Sequence, residues 1–151
     1  MRRICRIEPL GLESIGAAVS DKHDVQLVDM LVRPADLMRT LRVFSPDVLG
    51  VTSEAARWGQ AMAVMRTVRK LFPQCLNVAG GSHATTFSSE FDDPAVDLLV
   101  IGEGVEAFGQ ICATVAAGKR DFEHIPGLMI RTRDGLKATE PRAMPTTLAA
   151  R

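Results

Sequence analysis

Five times between residues 3 and 117, a short run of β-branched and aliphatic residues is followed by a stretch with helical periodicity. This alternation constrains the chain more than any other property it has. Arg3–Ile7, His23–Met30, Val48–Thr52, Leu76–Ala79 and Asp97–Ile101 read as strands. The third and fifth are almost wholly apolar, as expected of a strand covered on both faces. Leu10–Asp21 places Leu12, Ile15, Gly16 and Val19 at helical spacing behind Pro9, which suits a first turn. Pro34–Phe44 sets Leu37, Leu41 and Phe44 on one side before Ser45–Pro46–Asp47 breaks it. Ala55–Phe72 carries the longest apolar stripe (Ala61, Val64, Met65, Val68, Leu71, Phe72), and Pro73 ends it. Thr86–Phe91 reads as a short turn or helix, and Val105–Ala117 as a helix with Gly118 as its C-cap.

Strand and helix in strict alternation force parallel strands joined by right-handed crossovers. The expectation is an α/β, flavodoxin-like (Rossmann-like) three-layer sandwich around a five-stranded parallel sheet. Beyond the last helix the pattern changes. Leu128–Thr132 and Leu136–Thr139 flank Arg133–Asp134–Gly135, a β-hairpin signature, and the chain from Pro141 onward is polar. Three regions are therefore expected: an α/β domain over 1–120, a hairpin extension over 121–140 and a flexible tail over 141–151.

The balance of 18 Lys+Arg against 18 Asp+Glu gives no net charge, and no basic stripe offers itself to nucleic acid. Nothing approaches the ~18 apolar residues of a membrane helix, and no apolar run follows Met1–Arg2–Arg3 as in a signal peptide. Both point to the cytoplasm. Cys5, Cys75 and Cys112 stand far apart in apolar surroundings, which is neither a disulfide framework nor a zinc spacing. They read as small buried residues.

In an open parallel sheet, ligands bind beyond the carboxyl ends of the strands. Here those ends are Glu8–Pro9–Leu10–Gly11, Thr52–Ser53–Glu54, Gly80–Gly81–Ser82–His83–Ala84–Thr85 and Gly102–Glu103–Gly104. Paired glycines let a bulky ligand lie against bare backbone. Thr52 and Ser53 bring hydroxyls that donate and accept. Gly102–Glu103–Gly104 can turn sharply into the last helix, whose N-terminus favours a phosphate or an amide and equally favours Glu103 for its own charge. His83 is open to ligand contact, a cap role or metal ligation, although no partner stands near it at zinc spacing. Trp58, Met62 and Met65 read as core or interface residues. The chain has no Walker loop, no G-x-G-x-x-G after its first strand and no local nucleophile–base pair.

Taken in order, Pro9–Leu12, Asp47–Ser53, Ala79–Thr85 and Asp97–Gly104 resemble the N-terminal cobalamin-binding domain of cobalamin-dependent radical S-adenosylmethionine (SAM) enzymes. Ile125–Leu128 and Arg133–Gly135 are similar to the segment that joins this domain to the catalytic barrel. The resemblance implies a corrin held over the strand ends, bordered by Pro9, Leu10 and Gly11. Its nucleotide tail would descend beside Thr52, Ser53 and Glu54 and along Gly80, Gly81, Ser82 and His83, with Gly102, Glu103 and Gly104 on the far side. It also implies that no protein histidine fills the lower axial position of cobalt, so His83 stands only as a secondary candidate for an axial ligand.

The chain departs from the family pattern in several places. The Cys-x3-Cys-x2-Cys iron–sulfur signature is missing, so no catalysis is expected of this chain alone. The first loop is short, Ser82 stands where the family has proline, and Asp-x-His-x-x-Gly is absent. The resulting expectation is a cobalamin-binding carrier, sensor or partner module, or the N-terminal fragment of a cobalamin-dependent radical SAM enzyme acting with a catalytic domain. The alternatives are a cofactor-free regulatory domain of the same fold, or a tetrapyrrole module that takes heme, with His83 axial.

Overall fold

The computed structural model describes residues 10–30, 34–52 and 54–142. The chain divides into two compact units, Met1–Pro46 and Asp47–Arg151. The expected strand at Arg3–Ile7 lies outside the described residues, as does the tail beyond Arg142.

In the first unit, α1 spans Leu10–Ser20 and α2 spans Asp36–Phe44. The predicted stripe of α1 is its inward face, with Gly16 and Val19 buried and Leu12 and Ile15 half-buried. A methyl group on Gly16 would lie 3.5 Å from Leu27 and Val25, so the helix closes onto the segment that follows it. In α2, Leu41 is buried. Its backbone carbonyl accepts the N–H of Ser45, 2.9 Å away, where a left-handed residue (φ 48°) stops the helix. The strand expected at His23–Met30 is not formed among the described residues; Asp24–Asp29 carry no regular structure. Alternating side chains make a strand only where a neighbour accepts its hydrogen bonds, and no strand among the described residues pairs with this segment.

The second unit holds a five-stranded sheet in the order β1 (Val48–Thr52), β2 (Leu76–Gly80), β3 (Leu98–Val100), β4 (Leu128–Thr132), β5 (Gly135–Ala138). The first three strands are parallel, with Thr52 opposite Gly80 and Ala79 opposite Leu99. β4 then runs antiparallel to β3, and β5 antiparallel to β4. The wholly parallel five-stranded sheet is thus corrected to a mixed one. After α5 (Val105–Ala116) the chain crosses back in irregular form before β4 begins. β4 therefore enters from the opposite end, and Leu128, Met129 and Ile130 fill the place beside β3.

Both faces of this sheet are covered, as the period of two along a strand requires. Val78, Leu98 and Val100 meet Ala107 and Ile111 of α5, with Phe122 and Ile125. Ala79 and Leu99 meet Met62 and Met65 of α3 (Trp58–Leu71), Ala84 of α4 (Ser82–Thr86), and Phe91. A methyl group on Gly50 would come within 3.0 Å of the Phe108 ring, so glycine in β1 is what lets α5 pack this closely. The buried Asn77 crosses from β2 to the layer above. Its Nδ2 donates to the carbonyls of Met65 (3.0 Å) and Ala95 (2.8 Å).

Candidate functional site

The carboxyl ends of β1, β2 and β3 share one rim of the second unit. β2 runs through Gly80 into Gly81, whose φ of 98° belongs to glycine. That turn lets α4 start at once with Ser82. β3 runs into Gly102, at φ 78°, where an added methyl group would meet nothing within 4 Å. One hydroxyl joins the two glycine turns: Thr85 Oγ1 donates to the Gly81 carbonyl (3.0 Å) and accepts the N–H of Gly102 (3.0 Å). Thr52, Glu54, Ser82, Gly102 and Glu103 are exposed along this rim, while Gly80, Gly81 and Gly104 are half-buried. No bulky side chain of the described residues covers the Gly102 turn. Gly104 caps α5 in an ordinary helical conformation (φ −94°) and accepts the N–H of Phe108 at 2.8 Å.

His83 differs from its neighbours. It is 7% exposed and sits among Trp58, Phe87 and Phe91, with ring centroids 6.5, 5.1 and 5.7 Å away. Its Nε2 lies 2.9 Å from Oε2 of Glu90, and its Nδ1 is buried without a hydrogen-bond partner among the described residues. The imidazole is therefore a packed, carboxylate-oriented group that does not reach into open space. Of the remaining expected site residues, Pro9 and Ser53 lie outside the described residues. Leu10 and Gly11 open α1 in the other unit.

The sequence reading did not single out Glu90, Asn77 or the bridging role of Thr85. Asn77 was accessible to it: an amide inside the apolar run Leu76–Ala79 must find buried partners. Thr85 and Glu90 carried no such signal, because their roles depend on where α4 and the Ser88–Phe91 turn fold back.

The opposite rim is built differently. Arg131 donates from Nε to Val96 O (3.1 Å) and from Nη2 to Phe91 O (3.2 Å) and Asp93 O (2.9 Å), and it pairs with Asp92. Arg69 pairs with Asp97, which also accepts the Asn77 N–H at 2.7 Å. Arg66 pairs with Asp93 at 2.8 Å. A depression of about 300 Å³ opens here between Arg69, Arg120 and Phe122. Its guanidinium groups already serve protein carbonyls and carboxylates. Cys75 lies at this far rim, where burial, eased by Arg69, pushes its thiol up to about 11. Burial likewise raises Cys112. Among the described residues no cluster of His, Cys, Asp and Glu could hold a metal ion, and no helix is long and apolar enough to cross a membrane.

Comparison with known proteins identifies the family of the chain. The model of the B12-binding domain family matches residues 6–112. The chain is 28% identical to an uncharacterised methyltransferase of Pyrococcus horikoshii, over 90% of this chain and 30% of that protein. It is 32% identical to the cobalamin-dependent radical SAM methyltransferase TokK of Streptomyces tokunonensis, over 79% of this chain and 17% of TokK. Among solved structures, the radical SAM methyltransferase TsrM of Kitasatospora setae, with cobalamin and a [4Fe-4S] cluster bound, superposes with a TM-score of 0.77 at 21% identity. That match covers 93% of this chain and 27% of TsrM. The chain thus spans less than a third of the length of each of these relatives.

Proposed function

The chain belongs to the B12-binding domain family, whose cofactor is cobalamin, and from that premise we propose that the glycine rim of its sheet is the seat of the corrin. In this reading the chain is the cofactor-holding part of a cobalamin-dependent radical SAM methyltransferase, and the catalytic domain lies in a part of that enzyme this chain does not span. The observation that carries the assignment is the pair of glycine turns at Gly81 and Gly102, tied by the Thr85 hydroxyl. At the Gly102 turn a flat ligand could lie against backbone, since an added methyl group there would meet nothing within 4 Å.

Thr52, Ser53 and Glu54 would border the tail on one side, Gly80, Gly81, Ser82 and His83 would line its channel, and Gly102, Glu103 and Gly104 would close the far side. When bound, the corrin supplies a cobalt centre for alkyl-group chemistry; the chain's own residues hold and orient it.

The test is reconstitution. Purified protein mixed with hydroxocobalamin and desalted retains one corrin per chain in its visible spectrum. The Gly81→Leu variant, with an unchanged far-ultraviolet circular dichroism spectrum, retains none. A colourless wild-type protein, or full uptake by the variant, overturns the assignment.

A further inference from the structure

Two buried polar atoms at the glycine rim lack partners among the described residues: the indole Nε1 of Trp58 and the imidazole Nδ1 of His83. Their rings stand edge to face, with centroids 6.5 Å apart. Each unpaired buried group costs about 1–3 kcal/mol, so two at one spot mark a place where a partner belongs. Their chemistry is complementary. The indole N–H can only donate. His83 Nε2 lies 2.9 Å from Glu90 Oε2, and the tautomer that donates from Nε2 to this carboxylate presents Nδ1 as an acceptor. One side of the pair asks for an acceptor and the other for a donor.

We infer that Trp58 and His83 form a hydrogen-bonding clamp for one primary carboxamide of the bound ligand, its oxygen taking the indole N–H and its NH2 donating to His83 Nδ1. This specificity contact rests on the cobalamin reading above, because the corrin carries such carboxamides around its edge. The ring centroids lie 6.5 Å apart, and an amide bridging the pair would take two hydrogen bonds of about 2.9 Å. Entry requires the Phe87 ring to swing from its place against the imidazole. Phe87 is 49% exposed and free to do so, whereas Phe91 is fully buried and fixed.

Trp58 is the chain's single tryptophan, so its indole N–H gives one cross-peak in a ¹⁵N-correlated proton spectrum. Adding hydroxocobalamin shifts that proton downfield and slows its exchange with water. Trp58→Phe, which keeps the ring and removes the donor, binds the corrin about tenfold more weakly, equivalent to about 1.4 kcal/mol. Among corrins with one carboxamide replaced by carboxylate, one derivative loses affinity for the wild type and loses nothing further for Trp58→Phe, as coupled partners do. The clamp is overturned if the wild type takes up corrin while the indole peak stays in place and Trp58→Phe binds equally well. It also falls if every carboxylate derivative is penalised equally in both proteins. If the wild type takes up no corrin, the cobalamin reading itself fails and the clamp with it.

Discussion

The two rims of the second unit's sheet contrast sharply. At the amino ends of β2 and β3, arginines hold Asp92, Asp93 and Asp97 and several carbonyls in a network that leaves Arg69 Nε buried without a partner among the described residues. At the carboxyl ends the chain turns on glycine, exposes hydroxyls and carboxylates, and leaves two buried nitrogens unpaired. The first rim directs most of its guanidinium donors to protein carboxylates and carbonyls, whereas the second leaves Trp58 Nε1 and His83 Nδ1 without partners among the described residues. Under the proposed function, this division would let a small domain hold its fold through one edge of the sheet while the other takes the ligand.

The largest effect that would test this division comes from Arg131→Met. It strips three carbonyls of their donor, and the protein should lose about 3 kcal/mol in urea unfolding, with corrin affinity of the folded protein unchanged. A parallel fall in affinity would show that the rims are not independent. Gly102→Ala is the counterpart at the open rim. It introduces left-handed strain of about 1 kcal/mol, and no clash, because the added methyl group meets nothing within 4 Å. Corrin uptake should weaken well beyond what that loss explains; equal uptake would place the ligand elsewhere.

The smallest effect concerns Asp93. Burial opposes its ionisation, but the Ala95 N–H and Arg66, with Arg131 nearby, outweigh burial and hold its carboxyl below the usual range. A depressed carboxyl contributes stability that is complete above its unfolded value, near pH 4. That contribution is lost as pH falls through the lower folded value. Asp93→Asn should therefore flatten the acid limb of the stability–pH curve while leaving corrin uptake at neutral pH untouched. An acid limb as steep as the wild type's would show that Arg66 and Ala95 do not hold the carboxylate.

What could be read from the sequence followed the range of the forces involved. β1 came out residue for residue, and β2, β3, α3 and α5 to within a few, because continuous apolar runs and helical stripes are local signals. Reversal of direction at β4 was hidden: Leu128–Thr132 reads the same as a separate hairpin strand or as a neighbour of β3. His83 was visible as a functional candidate, but its inward orientation was not, since Glu90 and three aromatic rings reach it only after α4 folds back. The glycines of the rim were legible as turns. The hydroxyl that ties them together was not, because a bond from Gly102 to Thr85 spans 17 residues.

That hydroxyl makes the two turns mechanically one part. A fluctuation that lifts the Gly102 peptide must break or drag the bond to Thr85 and, through it, the Gly81 carbonyl. An arriving molecule therefore meets a single ledge with one breathing mode in place of two independent flaps. Substituting Thr85 by valine, which keeps the shape and removes the link, would uncouple them and raise amide hydrogen exchange at both turns together.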